Sequence, residues 1–108
     1  MKCYVDSSVI LRFLLFKDPS FKRTVQFEKV GSCELLMIEC SRVMERYRLE
    51  NLITDEQLGE VKKKLDEIVE GMYIIELTGT IKKRAAGSFP TVIGSLDAIH
   101  LSTAILWD

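Results

Sequence analysis

Short apolar runs of strand length alternate along this chain with longer stretches spaced like helices, and that alternation limits the folds open to it. Lys2 to Val5 reads as a strand with Cys3, Tyr4 and Val5 apolar in succession, the mark of a strand buried on both faces. Ser7 and Ser8 are caps for a helix from Val9 to about Phe16. Pro19 opens a second helical stretch to about Glu28, and Val30 to Cys33 is a second short strand. Glu34 to about Leu49 is helical, with Leu36, Val43 and Tyr47 on one stripe. Thr54 and Gln57 form a capping box for a helix carrying Leu58, Val61, Leu65 and Ile68, which Gly71 stops. Met72 to Leu77 is the clearest strand. A helix to about Ala86, the irregular GSFPTVIG and a last helix from Ser95, with Leu96, Leu101 and Ile105 on its apolar side, complete the pattern. Strands alternating with helices predict an α/β layer fold around a parallel sheet.

The 108 residues suffice for one domain, here expected to span 1–108. Fifteen Lys and Arg against sixteen Asp and Glu give a formal charge of -1, so a generic basic nucleic-acid coat is excluded and any such contact must use local patches. Asp6 interrupts the apolar stretch that a secretion signal would need. The longest apolar run, Val9 to Phe16, is broken by Arg12 and is too short for a bilayer, so no membrane partner is expected. Cys3, Cys33 and Cys40 are odd in number and lack Cys-x-x-Cys spacing, which predicts reduced thiols in a cytoplasmic protein. There is no Gly-rich phosphate loop, and residues 4–9 hold only one acid, which argues against triphosphate enzymes, receiver domains and dehalogenase-type phosphatases.

Three acids are placed where chemistry is expected. Asp6 follows the first strand, Glu39 lies in the first two turns of the helix after the second, and Asp97 lies in the first turn of the last helix behind Ser95 as N-cap. In an open parallel sheet these positions share the edge where ligands bind. Clustered carboxylates call for a cation, and an all-oxygen set suits Mg²⁺ or Mn²⁺, which serve phosphodiester hydrolysis. Each acid also has an ordinary structural reading: a helix cap for Asp6, a favourable first-turn charge for Asp97, a surface residue for Glu39. Glu39 fits its structural reading least, because Leu35, Leu36, Ile38 and Val43 flank it.

The segments YVDSSVI, SCELLMIECSRVM and SLDAIHLSTAI, in this order, resemble PIN-domain ribonucleases, and among them the VapC toxins of bacterial and archaeal toxin–antitoxin pairs. The resemblance runs from Lys2 to the end of the chain, and SLDAIHLSTAI is its most specific part. It implies a PIN-like three-layer domain with a central parallel sheet flanked by helices. It implies a metal-dependent endoribonuclease acting on structured RNA such as tRNA or rRNA, with Asp6, Glu39 and Asp97 as metal-binding catalytic acids. Ser7 matches the small hydroxyl residue facing the metal site, and Arg42 matches an arginine near the pocket. Homodimers and an antitoxin whose segment fills the acidic cleft are further implications. Family members continue past the last helix to a strand bearing a fourth acid, and Asp108 cannot supply it. The chain is therefore expected to be C-terminally incomplete or completed by another chain, with its first strand lacking a neighbour on one side. A catalytically inactive module binding a protein or RNA partner is the alternative, and a DNA nuclease with the same acids ranks behind both.

Four features need separate weighing. His100 lies one turn from Asp97, but among Ile99, Leu101 and Ala104 it reads as a core histidine rather than a ligand. Lys62, Lys63 and Lys64 read as a solvated helix face. Lys82, Lys83 and Arg84 open the helix after the third strand and are candidates for RNA phosphate contacts, with Arg12 and Arg46 behind them. Trp107 is expected to be a core or interface aromatic.

Overall fold

The computed structural model describes residues Met1–Trp107; the expectation attached to Asp108 lies outside them. Three parallel strands form the sheet: β1 (Lys2–Tyr4), β2 (Lys29–Cys33) and β3 (Tyr73–Ile75), in the order β1-β2-β3. Tyr4 pairs with Gly31, and Gly31 with Tyr73, so these three point to the same side of the sheet. Among the described residues β1 pairs only with β2, leaving it at an edge. Helices α1 (Ser7–Phe16), α2 (Leu36–Leu49) and α3 (Asp55–Glu70) pack on one side. Helices α4 (Gly79–Ala85) and α5 (Ser95–Leu106) pack on each other, with α5 against β2 on the opposite side. The arrangement is the expected α/β fold, a parallel sheet between helices.

The two helical layers differ in chemistry. On the first side Val5, Ile10, Leu14, Leu36, Cys40, Met44, Leu58 and Leu65 form an apolar core, joined by Cys3 and Val30 from the sheet. On the second side α5 buries Ala98, His100, Ser102 and Thr103. Leu96, Leu101 and Ile105, the expected inward stripe, are instead 50%, 43% and 55% exposed. The sheet already presents Tyr4 to this side, and Trp107 lies across it, so small residues on α5 are what fit opposite.

Several element ends move relative to the sequence reading. The N-cap of α1 is Asp6 rather than Ser7 or Ser8, because its carboxylate reaches the amides of Ser8 and Val9 (3.1 and 3.3 Å) while Ser7 is already helical. Gly94, not Ser95, caps α5. The stretch after Pro19 is a 3₁₀ segment (Pro19–Gln26). Glu34 stays outside α2: its backbone N–H joins Ile75 O at 3.0 Å and its carboxylate takes the Leu77 N–H at 2.5 Å. That tie lies at the end of β3, and at the other end the Met72 N–H turns back to Val69 O at 3.0 Å, so three of the six residues from Met72 to Leu77 form the strand. The Thr54–Gln57 capping box forms as read, and Gly71 ends α3.

Trp107 returns the chain to the sheet. Its ring meets Tyr73 at a centroid distance of 6.4 Å, lies 5.0 Å from Lys2 Nζ and covers Gly31. A Cβ on Gly31 would sit 2.8 Å from Trp107 Cη2 and 3.0 Å from the Tyr73 carbonyl oxygen. The carbonyl belongs to the adjacent strand and cannot swing away. Gly31→Ala should therefore destabilise the fold by about 1–3 kcal/mol in chemical denaturation, and removing the indole in Gly31→Ala/Trp107→Ala should not restore wild-type stability.

Candidate active site

Asp6 leaves β1 at its carboxyl end, where the Val5 N–H to Gly31 O bond (2.9 Å) extends the β1–β2 ladder. Its Oδ1 accepts from Ser8 Oγ at 2.6 Å as well as from the two capping amides. Asp97 stands exposed in the first turn of α5, close to where β1 ends. Asp6 and Asp97 line one cavity of about 410 Å³, together with Tyr4, Val9, His100 and Ala104. Glu39, one turn into α2, lines an adjacent cavity of about 320 Å³ with Ser7, Arg42, Arg46 and Leu96. The chain neighbours Asp6–Ser7 and Leu96–Asp97 are divided between the two cavities, so the rim between them carries Asp6 and Asp97 on one side and Glu39 on the other, and the carboxylate oxygens of the three do not all come within 4.8 Å of one another.

Glu39 is the acid most withdrawn from water, its side chain only 14% exposed. Both of its oxygens have partners. Ser7 Oγ donates to Oε2 at 3.1 Å, and His100 Nε2 donates to Oε1 at 2.7 Å. The other ring nitrogen, Nδ1, lies 2.7 Å from the Tyr4 hydroxyl and 3.7 Å from Cys33 Sγ. Tyr4 Oη in turn accepts the Cys33 backbone N–H at 3.1 Å. A continuous polar chain thus runs from the backbone of β2 through β1 and α5 to the carboxylate on α2.

Electrostatics follow from this chain. Burial alone would strip the proton from His100, but hydrogen bonds with Cys33 and Glu39 and their charges outweigh it and raise its pKa to about 9. Burial also resists a thiolate at Cys33, yet the neighbouring imidazole and the Leu35 backbone bring its pKa below the ordinary value. Tyr4 is pushed upward, chiefly by burial and then by Cys33. Cys40, by contrast, is raised to about 12 by burial and by the charges of Glu39 and Asp6, which makes it an inert core thiol.

Among the described residues, the one group of three potential ligand atoms lying within 4.8 Å of one another is Cys33, Glu39 and His100. It is poorly arranged for a metal. Glu39 lies on the Nε2 side of the imidazole and Cys33 on the Nδ1 side, so one nitrogen cannot serve an ion with both. The 2.7 Å between Nε2 and Oε1 is a hydrogen-bond length, shorter than two ligands at about 2.0–2.2 Å from a tetrahedral zinc would stand. Asp6, Glu39 and Asp97 suit a hard cation by donor chemistry, since all their donors are oxygen. Asp6 and Asp97 line one open cavity, and Glu39, fixed by its own hydrogen bonds, lines the next, so the three are not drawn together at ligand spacing.

A family model described as the PIN domain matches residues 3–107. The chain belongs to the PIN domain family. PIN domains are generally nucleases and usually use divalent metals, which agrees with an oxygen-rich rim at the carboxyl edge of the sheet. No curated protein matches the chain. No helix among the described residues of this PIN domain is long and apolar enough to cross a membrane.

The remaining residues singled out in the sequence divide clearly. Ser7 and Arg42 lie beside Glu39, and Arg46 joins them. Lys82, Lys83 and Arg84 are exposed on α4 and line neither cavity; the Arg84 guanidinium sits 5.0 Å over the Phe89 ring. Arg12 is exposed on α1 and lines neither cavity. A larger cavity of about 520 Å³, between Phe13, Lys17, Lys22, Lys64, Glu67 and Ile68, is at the far end of α1 from Asp6 and has a single carboxylate. His100 is the core histidine expected, but the sequence reading missed its bond to Glu39. The available signal was its spacing from Asp97: three residues along α5 put one acid on the rim and an imidazole beneath it.

His100 has an ordinary pKa of 6.5 in the unfolded chain and about 9 when folded, so the native state holds this proton more tightly. The resulting stabilisation is fully present below about pH 6.5 and is lost as pH rises through about 9. The lowered thiol of Cys33 acts in the opposite sense over the same range, so the His100 contribution is read in a Cys33→Ala background: unfolding in EDTA should lose stability across that window, and adding His100→Gln should flatten the profile.

Proposed function

We propose that this PIN domain is a metal-dependent endoribonuclease, the VapC-like toxin of a toxin–antitoxin pair, acting on structured RNA such as tRNA or rRNA in the cytoplasm. The observation that carries this reading is the common rim of Asp6 and Asp97 with the fixed carboxylate of Glu39. These three acids are the proposed ligands of Mg²⁺ or Mn²⁺. When bound, such an ion supplies an activated water and offsets the charge that develops at a scissile phosphate. The protein's own residues do the rest. Asp6 is rigid because it caps α1, Ser7 and His100 hold the plane of Glu39, and Arg42 and Arg46, which line the cavity of Glu39, would grip a phosphate of the bound RNA. Lys82, Lys83, Arg84 and Arg12 would hold more distant parts of the RNA backbone without reading its sequence.

The exposed aliphatic side chains of α5 support a protein partner. Leu101 lines the cavity of Asp6 and Asp97, and Leu96 lines that of Glu39. An antitoxin segment with one arginine and flanking apolar residues would match both the acids and this border, and a homodimer would cover the remainder of the helix. The alternative reading, an inactive module that binds protein or RNA, is favoured by one feature: Asp6 Oδ1 already accepts from three donors as a helix cap.

Purified chain with Mn²⁺ should cleave tRNA or ribosomal RNA, and Asp97→Asn or EDTA should abolish the cleavage. Arg42→Ala should raise KM several-fold with kcat retained, as expected for loss of uniform binding. RNA binding without metal-dependent cleavage would favour the inactive module.

A further inference from the structure

We propose that His100 and Tyr4 are positioning residues for Glu39, a buried relay that fixes the carboxylate for the cation. This rests on the three-acid reading above and adds to it two residues that never touch the ion.

A carboxylate that is 14% exposed on an otherwise apolar stretch of α2 is free to turn about its terminal torsion unless something holds it. Ser7 restrains one oxygen at 3.1 Å and His100 the other at 2.7 Å, so the carboxylate plane is fixed from two sides. The imidazole is itself anchored. It is 7% exposed, its Nδ1 is 2.7 Å from Tyr4 Oη, and Tyr4 Oη holds the backbone N–H of Cys33 at 3.1 Å. The relay therefore ends on the central strand rather than on a mobile side chain. The Tyr4 and His100 rings also meet edge to face, with centroids 5.8 Å apart. When the imidazole is protonated Nδ1 donates to Tyr4 Oη; when it is neutral the hydroxyl donates to Nδ1, so the anchor persists in either state.

Helix α5 makes the coupling direct. It carries Asp97 on the rim and, one turn on, the imidazole that holds Glu39, so two of the three acids are placed by one rigid element. Partners of this kind around a metal ligand are worth about 10–100-fold in metal affinity. A histidine present only for packing would have no such effect, and its loss would show in stability alone.

The test measures Mn²⁺ affinity of folded protein by calorimetry, alongside kcat and KM for RNA cleavage and thermal stability in EDTA. His100→Leu should weaken Mn²⁺ binding by about 10–100-fold and lower kcat while KM for RNA is unchanged. His100→Gln has an amide nitrogen the same number of bonds from Cβ as Nε2 and should recover most of both. Tyr4→Phe should weaken binding several-fold, and it carries the test if His100→Leu does not fold. Asp97→Asn separates the two readings. If it abolishes Mn²⁺ binding while folded His100→Leu and Tyr4→Phe bind as the wild type, the carboxylate site stands and the positioning role is overturned. If Asp97→Asn binds Mn²⁺ as the wild type, the carboxylate site is wrong and the positioning role falls with it.

Discussion

The hydrogen bond between His100 Nε2 and Glu39 Oε1 is the constraint on which the second side of this molecule is built. A carboxylate largely withdrawn from water is costly unless its oxygens are paired. The fold meets that cost by bringing α5 across the sheet so that an imidazole reaches α2, and by placing Ser7 at the start of α1 against the other oxygen. The elements thus joined lie far apart in the chain: 61 residues separate Glu39 from His100, and 96 separate Tyr4 from His100. Removing one partner would leave the others buried and unpaired, so the pieces are held together more tightly than one hydrogen bond implies.

This explains why the two faces of one small sheet are so unlike. Between the sheet and α1–α3 the filling is aliphatic, and its stabilisation is the ordinary burial of apolar surface. Between the sheet and α5 the space is taken by Tyr4, Cys33 and His100, with Ala98, Ser102 and Thr103 giving the close approach. Thr103 spends its hydroxyl on the Ile99 carbonyl at 2.6 Å, so it adds no further polar demand to the layer. The aliphatic residues of α5 are displaced to the outside, and that leaves an apolar border beside the acidic rim.

What could be read from the sequence tracks how local each determinant is. The Thr54–Gln57 capping box, the Gly71 stop and the periodicity of Leu58 and Leu65 involve residues within a turn or two of each other, and α3 forms as read. Where Asp6, Glu39 and Asp97 fall, after β1, early in α2 and in the first turn of α5, was legible too, because topology alone puts such positions toward one edge; how far apart their side chains stand was not, since packing between separate segments sets it. The N-cap of α1 was ambiguous, since Asp6, Ser7 and Ser8 all have capping side chains and only backbone geometry decides among them. The inward face of α5 was misread because periodicity reports where apolar residues lie and not what the opposite surface leaves room for. The Tyr4–His100–Glu39 chain had no local signature, as three separate segments must meet before it exists.

The central claim is that the rim of Asp6, Glu39 and Asp97 holds the cation and that the histidine beneath it does not. A crystal structure of the Mn²⁺-loaded protein, with the ion located by anomalous scattering, addresses it directly. The account predicts an ion bound by oxygens of Asp6, Glu39 and Asp97, with His100 Nε2 still hydrogen-bonded to Glu39. An ion ligated by His100 or Cys33, or a loaded crystal with no ion on the rim, would contradict it.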